Sequence, residues 1–158
     1  MTTAIAYPEN TETAKAARAK IMRIQAECSM LDDTHRMDES PPLKHWLSNG
    51  VYAREICLPA DSVVVGKIHR HEHLNIISKG TVTVFTEFGE ETLNAGDSFI
   101  SMPGTKRVVY THPESEAIWT TIHANPDNEK DIEKLEDRYT AIHYAELGMD
   151  VDLLEDAA

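Results

Sequence analysis

Residues 63–80 read VVVGKIHRHEHLNIISKG, with histidine at every second position from His69 through His71 to His73. Valines and isoleucines lead into the histidines, and a Lys79-Gly80 turn signal follows them. Both flanks favour extended chain, in which alternate side chains share a face, so Lys67, His69 and His71 point one way. Cα atoms two residues apart on a strand are separated by about 7 Å, close enough for two imidazoles to grip one ion. His69 and His73 are about 13 Å apart if the strand stays straight. Their rings can meet only if the chain bends near Glu72.

The texture around this stretch is that of a β-rich domain. VYAREICL, SVVVGKIH, LNIIS, TVTVFTEF, DSFISM, KRVVYT and AIWTTIH are short β-favouring runs between residues 51 and 123. Turn residues separate them at Pro59-Ala60-Asp61, Lys79-Gly80, Gly89, Ala95-Gly96, Pro103-Gly104 and His112-Pro113. Seven or eight such strands imply an antiparallel sandwich or barrel. Cys57 alternates with apolar neighbours in its run and reads as an inert core thiol.

Helical patterns flank the β region. Residues 12–31 lack Gly and Pro, and Ala17, Ile21, Ile24, Cys28 and Leu31 recur at spacings of four and three. That is one apolar stripe, capped by Asn10 or Thr11, which must dock on the domain or on a second subunit. DESPPLKHWLSNG, residues 38–50, carries two prolines and an Asn-Gly and reads as a connecting loop. Residues 125–147 return to helix, with Asp127 as a cap and Ile132, Leu135 and Tyr139 on one side. GMDVDLLEDAA reads as a loose acidic tail. Three segments result: 1–50, helix and connecting loop; 51–124, the β-barrel; 125–158, a C-terminal helix and acidic tail.

Composition limits the partners. The chain has 158 residues, 41% hydrophobic and 27% charged, enough for one domain with its own core. Its formal net charge is −12, with eleven Asp or Glu against three Lys or Arg from residue 124 onward. Nucleic acid and anionic membrane are therefore excluded as expected partners. Two cysteines, Cys28 and Cys57, form neither a zinc spacing nor a disulfide framework and suit a reducing compartment. The N-terminus carries no continuous apolar run, so no secretion signal is expected, and a soluble, cytoplasmic location follows. No Ser-His-Asp, P-loop or dinucleotide fingerprint is present.

GDSFISMPGTKR, residues 96–107, together with the histidine stretch, resembles the cupins, small jelly-roll barrels with two short motifs. Gly96-Asp97 and Pro103-Gly104 match the frame of the second motif, and the resemblance covers about residues 51–124. It implies a mainly β, cupin-like antiparallel jelly-roll barrel with an N-terminal helix and a C-terminal helical extension. It also implies a homodimer or higher homo-oligomer, and open barrel edges offer a physical reason for one. The chain is similar to the short stand-alone cupins of bacterial and phage genomes, and fold alone supplies no reaction for it.

The ligand positions depart from the family pattern. Counted back from Gly80, the family's glutamate falls on His73 and its two histidines on Lys67 and His69. Arg107 stands at the position of the second motif's histidine. Three fillings of the pocket remain open. In one, a divalent transition metal is held by His69, His73 and one or both of His71 and His123. In the second, Lys67 and Arg107 hold a small anion such as a carboxylate or phosphate. His69 and His73 then move protons there, and metal-free cupins such as the sugar-nucleotide epimerases are similar in this respect. In the third, the histidines only hydrogen-bond in a half-polar barrel mouth. Trp119 and Thr121 share a strand face with His123 and are candidate ligand-lining residues, although the core is the commoner setting for a tryptophan. Three functions correspond: a metal-dependent enzyme acting on a small oxygen-rich molecule, a binder or sensor of an anion, and an oligomeric scaffold.

Overall fold

A computed structural model describes residues 10–31 and 41–152. The elements in chain order are α1 (Glu12–Ser29), β1 (Leu43–Ser48), β2 (Gly50–Leu58), β3 (Ser62–Val65), β4 (Ile68–His69), β5 (His73–Lys79) and β6 (Thr81–Thr86). They continue with β7 (Gly89–Asn94), β8 (Ser98–Ser101), β9 (Val108–Thr111), β10 (Ala117–Asn125), α2 (Ile132–Tyr139), β11 (Thr140–Ala141) and a 3-10 turn, Tyr144–Leu147. A five-stranded sheet, β1-β2-β10-β5-β8, faces a four-stranded sheet, β3-β9-β6-β7, and β4 pairs with β11 in a small third ladder. Every pairing is antiparallel. This is the jelly-roll barrel that the turn spacing and the two motifs led us to expect.

The period of two on each strand decides what faces inward. On β2 the inward set is Tyr52, Arg54, Ile56 and Leu58; opposite them on β10 stand His123, Thr121, Trp119 and Ala117. Asn75 and Ile77 of β5 continue the rows beyond Thr121 and Trp119. The barrel is thus apolar at one end, where Leu58, Ile77, Val82, Val84, Leu93, Val109, Ala117 and Trp119 form the core. It turns polar toward the other end. The Lys79-Gly80 turn closes β5 onto β6. Gly80 has φ +78°, and a Cβ there would lie 2.4 Å from the Glu116 carbonyl oxygen, so no other residue fits.

Several elements differ from expectation. Residues 43–48 are a strand rather than a loop. Asn49-Gly50 is a hairpin turn that pairs Ser48 with Val51, and Gly50 takes φ +76°. The sheet therefore starts at Leu43, and β1 leaves Trp46 and Leu47 exposed at its edge. β7, GEETLN, has no apolar alternation because it is the solvent-facing edge of the second sheet.

Cys57 lies on the outer face of β2, its thiol 3.2 Å from Glu116, so it is no core residue. Burial, then the Glu116 carboxylate, pushes that thiol's pKa up.

The C-terminal helix begins late, at Ile132. Asn125 and Glu129 bind the backbone N–H groups of residues 129, 130 and 131 with their side chains, which holds a turn there. Asp131 is the cap, while Asp127 takes a two-pronged pair from Arg138 at 2.7 Å each. Leu135 and Tyr139 of α2 pack with Tyr52 and close the polar end of the barrel.

On α1, Thr11 caps the start as expected, but the buried face centres on Ala14, Arg18, Ala19 and Ile21. Leu31 stays exposed. Arg18 is fully buried because it ties Asn10, Glu87 and the Asp150 carbonyl together. Asp150 and Met149 are docked in consequence, so the tail is not loose up to residue 152; its last six residues lie outside the described ones. Among the described residues no helix is long and apolar enough to cross a membrane.

Candidate functional site

The chain does bend after its first histidine. β4 ends at His69, residues 70–72 leave the strand, and β5 restarts at His73. Backbone bonds hold the bend: His69 N–H donates to the Thr105 carbonyl at 2.9 Å, and Gly104 N–H donates to the His69 carbonyl at 2.7 Å. Gly66 N–H donates to the Arg107 carbonyl at 3.0 Å. The first motif is thereby strapped alongside the second. Ring centroids of His69 and His73 come within 4.5 Å, His73 and His123 within 4.7 Å, and His69 and His123 within 6.2 Å. His71 does not join them. It is exposed and meets the edge of the Tyr139 ring, because the bend turns its side chain away.

Proximity of the rings does not make a metal site. His73 Nδ1 lies 3.0 Å from the His71 carbonyl, which can only accept, so Nδ1 carries the proton. Nε2 of that neutral ring accepts from Arg107 Nη2 at 3.1 Å. Both nitrogens are in use, and the one with a lone pair faces a guanidinium that would repel a cation. His123 Nε2 is spent on the Thr121 hydroxyl at 3.1 Å. Among the described residues no three His, Cys, Asp or Glu side chains are disposed to hold an ion. Of the quartet His69, His71, His73 and His123, three rings converge; His71 faces elsewhere, and both nitrogens of His73 are engaged as the side chains stand.

Arg107 organises the site. It is buried, and Nη2 reaches His73 Nε2 and Asn75 Oδ1 at 3.1 Å each and also the Ser101 hydroxyl. Asn75 Oδ1 accepts a further bond from Trp119 Nε1 at 3.0 Å, and the guanidinium lies over the Trp119 ring, 5.1 Å from its centroid. Every one of these partners is neutral. Burial pushes the Arg107 pKa down to about 10, with no carboxylate among the described residues opposing it. The sequence alone did not reveal Asn75 and Ser101. The available signal was their alternation with His73 and Ile77 on paired inward faces.

A cavity of about 320 Å³ opens beside this cluster. Lys67, His69, Arg107, Trp119 and Thr121 all line it, together with Arg54 and Thr140. Its other wall is apolar, built from Ile56, Leu58, Val64 and Val109. Trp119 is both a core residue and part of the lining. Lys67, at the mouth, lies 3.7 Å from Glu136 of α2, and Arg54 lies 3.6 Å from the same carboxylate. Two lining residues carry a polar atom shut off from solvent with no partner among the described residues, His69 Nδ1 and Arg54 Nε.

The three rings are neutral at neutral pH. Burial, reinforced by Arg107 and by the other two rings, holds His69 well below the usual imidazole range. Burial is also the main cause that lowers His73 to about 4, with Arg107 adding and the bond to the His71 carbonyl opposing. Burial, then His73, Arg54 and Arg107, brings His123 to about 3.

Fold and site together define a two-sheet jelly-roll barrel whose cavity is cationic and rests on a neutral imidazole stack. The chain is similar to a Cupin 2 conserved barrel domain protein from Salinispora arenicola, at 14% identity and TM-score 0.48, over 68% of this chain and 93% of that one. It is also similar to a cupin protein from Bacteroides fragilis, at 18% identity and TM-score 0.46, over 64% and 92%. A protein with a double-stranded β-helix domain from Klebsiella pneumoniae matches at 15% identity and TM-score 0.49, over 61% and 89%. No family model matches the chain, and no curated protein matches it. The two-sheet antiparallel barrel architecture rests on strand order and register.

Proposed function

We propose that the barrel cavity binds a small organic carboxylate, held by Arg107 and assisted by Lys67, without a resident metal at the histidines. The observation that carries this is the Arg107 guanidinium, buried among neutral partners with no carboxylate among the described residues to balance it. An unbalanced buried charge is costly, and an anionic ligand offsets that cost. Nη1 and Nε remain without partners among the described residues, so the guanidinium keeps N–H donors for the oxygens of a carboxylate. His69 lines the same cavity as a neutral ring, and its Nδ1 has no hydrogen-bond partner among the described residues. The apolar wall selects a hydrocarbon body over bare inorganic phosphate.

Titration calorimetry with benzoate, hexanoate and inorganic phosphate tests the proposal, using wild type and Arg107→Met. The organic carboxylates bind wild type, phosphate binds weakly, and Arg107→Met loses at least tenfold in affinity while retaining a cooperative melt. Equal binding by the two proteins refutes the assignment, as does stoichiometric metal in untagged protein that is lost with His73→Ala.

A further inference from the structure

Three cations line the cavity, Arg54, Lys67 and Arg107, and among the described residues one carboxylate, Glu136, is matched to any of them. With the three rings neutral, three positive charges less one negative leave an excess of two. The excess is not in one place. Arg107 is fixed by His73, Asn75 and Ser101 at one side. Arg54 and Lys67 share Glu136 at the other, at 3.6 and 3.7 Å, longer than hydrogen bonds.

Strand register sets the span between the two. Arg54 of β2 stands opposite Thr121 of β10, which stands opposite Asn75 of β5, the residue that anchors Arg107. Two inter-strand steps make about 10 Å between the Arg54 and Asn75 backbones. The Trp119 and Ile56 row runs alongside and is apolar.

Resting on the carboxylate-binding reading above, we infer that the ligand is a dicarboxylate with a hydrocarbon spacer. One carboxylate sits on Arg107; the other meets Arg54 and Lys67 and displaces Glu136 from them. Glu136 is then a specificity residue. It occupies the second subsite loosely when no ligand is there, and it competes with the distal carboxylate for the same two cations.

The experiment is calorimetry with the α,ω-dicarboxylates from malonate to pimelate, each against the monocarboxylate of equal carbon number. Wild type, Arg54→Met and Glu136→Gln are compared, with melting curves establishing that each variant folds. At least one dicarboxylate binds wild type ten or more times tighter than its monocarboxylate partner. Arg54→Met reduces that ratio to near one, and Glu136→Gln raises it. Equal affinities for mono- and dicarboxylates in wild type overturn this inference and leave the carboxylate pocket standing. A ratio unmoved by both substitutions also overturns it. No binding by either series overturns the carboxylate pocket as well.

Discussion

The neutral imidazole stack makes a quantitative prediction about acid. His73 and His123 fall from the usual 6.5 to about 4 and about 3, and His69 moves the same way. Below pH 6.5 the unfolded chain binds protons that the folded chain refuses, so stability declines as pH falls. The groups facing the rings do not reverse this. Arg107 and Arg54 reinforce it, and Tyr52, Tyr139 and His71 bring no carboxylate. Between pH 8 and pH 5, a ring whose folded pKa is 4 or lower loses about 2 kcal/mol of stabilisation, so His73 and His123 together lose about 4 kcal/mol. Carboxylates titrate mostly below that window. A loss of this size is a large share of the roughly 5–15 kcal/mol that holds a domain together. Urea denaturation at pH 8, 6.5 and 5 and fixed ionic strength measures it. His123→Gln removes one ring's share, about 2 kcal/mol, from the pH dependence. A stability that changes by less than about 1 kcal/mol from pH 8 to pH 5, or folded-state imidazole titrations near 6.5, refutes the account of the stack.

Three substitutions test the framework around the site. Gly80→Ala drives a Cβ into the Glu116 carbonyl at positive φ and costs more than about 2 kcal/mol in chemical denaturation. Trp119→Phe removes the indole N–H from Asn75 Oδ1, which keeps Arg107, so the loss in the same assay is only about 1 kcal/mol. Leu135→Ala opens a hole under α2 beside Tyr52 and costs about 2–5 kcal/mol; hydrogen exchange at residues 132–141 accelerates more than in the β5–β10 ladder.

The strands with clear alternation, such as β5, β6 and β10, were legible because one buried face imposes a period of two on the residues themselves. The bend after His69 was legible too, since an extended segment could not bring His69 and His73 together. β7 and the start of the C-terminal helix were not. An edge strand has no buried pattern to display, and the helix start depends on Asn125 and Glu129 capturing backbone groups that local propensity leaves to a longer helix.

The chemical character of the site divides the same way. Local sequence determined which residues enter the barrel: Lys67, His69, His73, Arg107, Trp119, Thr121 and His123 stand at strand positions or in motif frames that bring them to the cavity or the ring stack. Tertiary structure alone decided what they do there. Whether an imidazole offers a lone pair depends on what its two nitrogens touch, and for His73 those neighbours are the His71 carbonyl and Arg107, thirty-four positions away. The charge of the cavity likewise depends on which carboxylates reach it, and among the described residues only Glu136 is paired with a cavity cation. Hydrogen bonds and charge pairing act over a few ångströms of space, whereas a sequence records only order along the chain.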